Sequence, residues 1–257
     1  MQTTVDLNAD MGESFGPWTM GDDAALLDTI SSANIACGFH AGDPDVMAAT
    51  MARAVANGTG IGAHPGLADL QGFGRNRMDV PHATLANQVR YQLGAAQAMA
   101  RAAGGAVRHL KLHGALANMA SEDEALARAC YDAALSVDPE IIIMVLAGTA
   151  QEAAARSLNA RIACEIFADR AYNADCTLVD RRLPGAVIHD ADHAAERILA
   201  MLRAGAIIAE DGTHIPTRID TICLHGDTPE AVDIARALRA GLEAAGLRVA
   251  QFDGARG

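Results

Sequence analysis

Short runs of strand character alternate with longer helix-patterned segments along most of this chain, and that alternation restricts it to α/β folds built on a parallel sheet. Residues 4–7 read as a first strand and 22–31 as a helix opened by acidic residues. A second strand at 33–38 leads to a helix from Pro44 to about Ala56. Asp43 is its expected N-cap, Pro44 lies in its first turn, and Asn57-Gly58 stops it. Residues 60–63 form a third strand, followed by a Gly-rich loop and a long helix from Pro81 to about Ala103. A fourth strand spans 107–112, and Ser121 and Glu124 have capping-box spacing for the next helix. The unbroken apolar run 141–146 fits a strand covered on both faces. Strands at 161–167 and 221–224 follow, the later one before a helix from Pro229 to about Ala245. Residues 206–218 read as a small hairpin around Asp211-Gly212, and 249–252 as a strand closing the sheet. The expected fold is therefore an irregular (β/α) barrel of seven or eight mainly parallel strands. No Gly/Ser/Pro-rich linker divides it, so residues 1–257 read as a single barrel domain.

Composition narrows the function classes. The 257 residues are 51% apolar and carry a net charge of −12 with no long basic run. The attraction to phosphate backbones on which nucleic-acid binding rests is missing. No apolar run approaches the roughly 20 residues of a membrane helix, and the N-terminus lacks a basic segment leading into an apolar one. The five cysteines are odd in number, widely spaced and without a C-x-x-C pair, which fits a cytoplasmic protein.

The polar residues fall at one address. Asp6, Asn8 and Asp10 lie in and just past the first strand, with Glu13 following. His40 follows the second strand and His64 the third, while Lys111 and His113 end the fourth. Glu165, Asp169 and Arg170 end the sixth, and His225 and Asp227 the late one. In a barrel these positions converge on the carboxyl end, where such folds place their active sites. A lone histidine at a strand end is commonly a hydrogen-bonded structural group; four of them, each flanked within two residues by Gly or Pro, indicate a site. His109 shares a strand face with Lys111 and His113 and stays open between the two roles. A metal set of Asp10, His40, His64, His113 and His225 has suitable ligand types but lacks the compact spacing of H-E-x-x-H. Acid–base catalysis without a tightly bound metal accounts for the same residues. Arg75 and Arg77 in Gly72-Phe73-Gly74-Arg75-Asn76-Arg77 are suited to hold a carboxylate or phosphate. There is no Walker-type phosphate loop and no Rossmann glycine fingerprint.

The run Asp6-Leu7-Asn8-Ala9-Asp10-Met11-Gly12-Glu13 and the block from Ser32 to Asp43, SANIACGFHAGD, resemble the LamB/YcsF family, the 5-oxoprolinase A subunits. Gly62-Ala63-His64-Pro65, Gly72-Phe73-Gly74-Arg75, His113-Gly114-Ala115-Leu116, Phe167-Ala168-Asp169-Arg170-Ala171-Tyr172 and Leu224-His225-Gly226-Asp227 agree in order over about nine-tenths of the chain. Leu112 stands where the family usually has Pro, and Cys176 where it usually has Gly. The resemblance implies a glycoside hydrolase/deacetylase-like relative of the TIM barrel. It also implies opening of the lactam 5-oxoproline to glutamate at the expense of ATP, expected with Mg2+, together with subunits B and C. On that reading Asp10, His64, His113, Glu165 and Asp169 are the catalytic candidates. Asn8, Asn34, His40, Arg75, Lys111, Arg170, His225 and Asp227 are the substrate-binding candidates. Two rival expectations stand beside it: a metal-dependent deacetylase of N-acylated sugars, and a non-catalytic chain that binds the lactam and leaves the chemistry to its partners.

Overall fold

In β1 (Thr4–Met11) the side chains alternate between two buried environments. Val5, Leu7, Ala9 and Met11 join the main apolar core, whereas Asp6, Asn8 and Asp10 are buried in a polar hydrogen-bond network. A strand can do this only when both faces are covered, as in a closed sheet wrapped by helices. The computed structural model describes residues 3–225 and 231–256, with His225 entering only as a strand position. Asp227 lies outside the described residues.

The chain continues through α1 (Asp23–Leu27), β2 (Ser32–Ala36), α2 (Pro44–Asn57), β3 (Gly60–His64) and α3 (His82–Ala102). Next come β4 (Val107–Lys111), α4 (Gly114–Glu122), α5 (Glu124–Val137), β5 (Ile142–Leu146), α6 (Ala150–Ser157) and β6 (Arg161–Phe167). After α7 (Ala191–Ala204) stand β7 (Ala206–Ile208), β8 (His214–Pro216), β9 (Thr221–His225), α8 (Ala231–Ala244), β10 (Arg248–Val249) and β11 (Ala255–Arg256). Strands β1 to β6 pair in parallel in sequence order, and β9 pairs in parallel with both β6 and β1. The expected barrel is thus closed, by seven strands. Among the described residues no helix is long and apolar enough to cross a membrane.

Four expectations change in detail. Closure falls to β9, whereas 249–252 contributes only the end of β10, pairing on β1. The tail beyond instead packs Phe252 with Ile142, Met144 and Ala163 and against the His109 ring, 5.2 Å between centroids. The first helix ends at Leu27 because Ser31 is needed elsewhere: its hydroxyl donates to Asp6 Oδ1 at 2.7 Å. Ser121 does not cap α5. It lies inside α4, and Asp123 caps α5 by accepting from the Ala125 and Leu126 amides. The first strand runs on to Met11, so Asp10 lies in the strand. The hairpin forms as expected, with β7 and β8 antiparallel and Gly212 at φ +84°.

Asp6 is fully buried and accepts from the Ser31, Ser32 and Thr221 hydroxyls. Burial outweighs those bonds and pushes its carboxyl from 3.8 up to about 6. The folded state therefore holds this proton more tightly than the unfolded chain, so stability falls as pH rises from about 4 to about 6 and is level above. The displacement corresponds to about 3 kcal/mol. Urea titrations across that range should show this limb in the native sequence and its loss in Asp6→Asn.

Cys176, buried, adopts φ +68°, a conformation that favours the glycine usual at this place. Its sulfur packs on Gly148, itself at φ +76°, where an added methyl carbon would lie 2.5 Å from Sγ. Gly148→Ala should cost about 2–3 kcal/mol from overpacking and backbone strain together. Cys176→Gly in the same chain should recover the overpacking share, read as a non-zero coupling in a double-mutant cycle of urea midpoints.

Candidate active site

Above the Asp6 layer, side chains from neighbouring strands knit into a polar ladder along the barrel interior. Asn8 Nδ2 donates to Thr221 Oγ1 at 2.7 Å, and Asn34 Nδ2 donates to Asn8 Oδ1 at 2.7 Å and Asp10 Oδ1 at 2.9 Å. His109 Nε2 donates to Asn34 Oδ1 at 2.8 Å. Burial pushes this imidazole down to about 3, so it stays neutral and positions Asn34. His109 is thus a structural group of the ladder.

Lys111 stands at the head of the ladder. Its ammonium lies 3.0 Å from Asp10 Oδ1, 2.8 Å from Glu165 Oε1 and 2.9 Å from Cys223 Sγ. Burial alone would lower the ammonium, but Asp10 and the other neighbours hold it well above the usual lysine value. It is therefore a fixed cation clamping two carboxylates from β1 and β6, the two strands that flank β9. Burial keeps the Cys223 thiol well above its ordinary range, so the sulfur is neutral and inert.

Three histidines form the upper rim. His64 Nδ1 lies 2.9 Å from the Lys111 carbonyl oxygen, and His64 Nε2 3.3 Å from Asp10 Oδ2 and 3.0 Å from His113 Nδ1. His113 Nε2 is 2.9 Å from the Phe73 carbonyl oxygen. His40 stacks on His113 with ring centroids 3.7 Å apart and planes 5° apart. Burial first, then the neighbouring histidines, pushes His40 and His113 well below the usual imidazole range. Glu13 joins them, with Oε1 3.8 Å from His40 Nε2 and 3.8 Å from His113 Nδ1. Gly12, at φ +68°, precedes it just past β1, where the chain leaves the strand. Sequence reasoning noted Glu13 but did not place it in the site.

The cradle under the rim is backbone. Gly74, at φ +63°, approaches so closely that an added methyl carbon would lie 2.6 Å from His40 Cβ and 2.8 Å from His113 Cδ2. Gly74→Ala is therefore expected to displace both rings and to lower turnover by about 100-fold or more, the scale of a 1 Å misplacement. Steady-state kinetics on variant protein with near-native melting would check it.

The remaining candidates divide. Arg75 is exposed at the rim, its guanidinium 4.8 Å from the Phe73 ring centroid. Arg77 is drawn away from the pocket into a bidentate contact with Glu122. Arg170 is buried and holds the loop after β6, donating to the Val179 carbonyl at 2.6 Å and the Ala186 carbonyl at 3.3 Å. Asp169 is buried two residues past β6 at the same end of the barrel. His225 is paired in β9 beside Asp10. A cleft of about 230 Å³ runs from Glu13 and His40 outward past Phe73, Leu70, Met20 and Trp18. A larger depression of about 760 Å³, lined by Asp28, Asn57, Arg239 and Gln251 among others, contains none of the strand-end groups.

Comparison with known proteins agrees with this architecture. The 5-oxoprolinase A subunit of Ruegeria pomeroyi is 70% identical over 251 residues, covering 98% of this chain and 99% of that one. The crystal structure of the lactam utilization protein from Thermus thermophilus superposes with a TM-score of 0.91 at 42% identity, covering 97% of this chain and all of that one. A family 4 carbohydrate esterase from Streptomyces lividans shares the fold alone, with a TM-score of 0.50 at 12% identity over 96% of this chain and 91% of its own. The LamB/YcsF family model matches residues 5–257, and the chain belongs to that family.

Proposed function

We propose that this chain is the A subunit of an ATP-dependent 5-oxoprolinase, which opens 5-oxo-L-proline to L-glutamate together with subunits B and C. The observation that carries this reading is near-full-length 70% identity to a protein of that name. The pocket's chemistry supports it. A five-membered lactam is a stabilised amide, and transfer of the γ-phosphoryl group of ATP to its oxygen makes the ring carbon electrophilic. Water then adds to that carbon. Protonation of the ring nitrogen lets the C–N bond break, leaving γ-glutamyl phosphate, and a second water releases glutamate and phosphate.

The residues present suit those steps. His64 Nε2 and His113 Nδ1, 3.0 Å apart, can take the proton from the attacking water and return it to the ring nitrogen. Asp10, 3.3 Å from His64 Nε2, orients that imidazole and stabilises it when charged. Lys111 bridges Asp10 and Glu165, and Arg75 at the rim is placed to meet an anionic group of substrate or phosphate. Mg2+ accompanies ATP in the assembled enzyme. The nucleotide requirement and five buried free thiols fit a cytoplasmic setting.

Glutamate release from 5-oxoproline by the three assembled subunits tests the reading, with ATP and this chain each omitted in turn. Release should require both. Release without ATP, or none from properly assembled subunits, would overturn it.

A further inference from the structure

We propose that Glu13, His40, His64 and His113 form a binding site for one transition-metal dication of the zinc type. Two backbone carbonyls set the ring tautomers. A carbonyl oxygen only accepts, so His64 Nδ1, 2.9 Å from the Lys111 oxygen, carries its hydrogen, and the neutral ring presents a lone pair at Nε2. By the same logic His113 Nε2, 2.9 Å from the Phe73 oxygen, carries its hydrogen and leaves a lone pair at Nδ1. These two lone pairs face each other across 3.0 Å, and Asp10 Oδ2 faces His64 Nε2 at 3.3 Å. Such a convergence of acceptors repels unless an electron-poor centre sits among them. Imidazoles anchored through the outer N–H to a backbone carbonyl are the usual arrangement of metal-ligating histidine.

The other two members complete a donor set. The four candidate ligand atoms all lie within 4.8 Å of one another. Glu13 Oε1 is 3.8 Å from the facing nitrogens of His40 and His113, and bonds of 2.0–2.1 Å to a tetrahedral ion would bring donors to about 3.4 Å apart. His40 is fully buried, yet among the described residues neither of its ring nitrogens makes a hydrogen bond. A buried imidazole left in that state is uncommon and implies a ligand. Its ring is parallel to that of His113, so it must turn about Cβ–Cγ to share an ion, and the turn breaks no hydrogen bond. Charge favours the same occupant. The buried Lys111 ammonium contacts the buried carboxylates Asp10 and Glu165, Glu13 adds a third buried carboxylate beside His40 and His113, and a dication offsets the excess negative charge. Three imidazoles with one carboxylate suit zinc, cobalt or nickel better than magnesium or calcium, so this ion is distinct from the one carried by ATP.

The ion and the proton relay use the same two lone pairs, so metal occupancy and acid–base turnover exclude each other; the site stands independently of the oxoprolinase reading, because its test needs neither lactam nor ATP. The full chain, stripped with a chelator, is dialysed against Zn2+ or Co2+ in excess Mg2+, and metal content is measured by mass spectrometry. About one ion per chain is expected, with a raised melting temperature and, for Co2+, the visible bands of low coordination number. His64→Ala and His113→Ala would open cavities in the buried rim, so Glu13→Gln and His40→Gln serve as size-preserving variants. Each should weaken binding by more than the roughly 10–100-fold that loss of an outer hydrogen-bond partner costs. Replacing the exposed His82, His193 and His214 with alanine should leave uptake unchanged. No uptake by the stripped chain, or uptake unaffected by Glu13→Gln and His40→Gln, would overturn the proposal and leave a proton shared between His64 and His113 as the occupant.

Discussion

Lys111→Met is expected to destabilise the protein by about 3–5 kcal/mol and to abolish turnover, the largest effect of any single substitution in the pocket. Methionine matches the length of the lysine stem, so the loss is one of charge. Asp10 and Glu165, buried and held at 3.0 and 2.8 Å by the ammonium, would be left without their shared cation in the barrel interior. The cost of an unpaired buried carboxylate is relieved when it takes up a proton. In the variant the carboxyls are therefore raised relative to the unfolded chain, and its stability falls as pH rises through the acid range. In the native protein both carboxylates keep their contact with the ammonium. The deficit should shrink toward pH 4 and be fullest at neutral pH. Glu165→Gln in the same chain should restore part of the stability and none of the activity, which separates charge burial from catalysis. Urea midpoints at two pH values check this; a neutral-pH loss under about 1 kcal/mol would show that Lys111 does not clamp the pair.

Much of this pocket was legible because its residues are placed by strand register alone. Asp10, His64, Lys111 and Glu165 each lie at the end of a strand with a clear pattern, and a parallel barrel brings all such ends to one face. What the sequence did not disclose depends on backbone turns or distant packing. Glu13 joins the histidines just beyond a left-handed Gly12, and no periodicity signals that turn. The short helix α4 starts at a left-handed Gly114 without a side-chain cap, so its first turn carries none of the usual starting signals. The role of Phe252 needed knowledge that the chain's end returns to His109 and Ile142. Arg170 looked like a substrate cation from its place after β6, whereas the 171–187 loop supplies the carbonyls that hold it.

His113→Gln carries the second large effect. A glutamine amide can still donate to the Phe73 carbonyl, so the Gly-rich loop keeps its anchor and the fold should melt within a few degrees of the native protein. The nitrogen lone pair 3.0 Å from His64 Nε2 is lost, and with it the route for moving a proton between water and the ring nitrogen. Loss of a positioned acid–base group costs about 10²–10⁴-fold in rate. Since the ring is buried and neutral while Arg75 at the rim is untouched, the KM for the lactam should move little.

The most direct measurement is ATP-dependent glutamate release by assembled A, B and C subunits carrying His113→Gln, with folding checked by melting and assembly by co-elution. The account expects kcat lower by about 10²–10⁴-fold at a nearly unchanged KM. Native turnover from the folded, assembled variant would place the chemistry outside this histidine pocket.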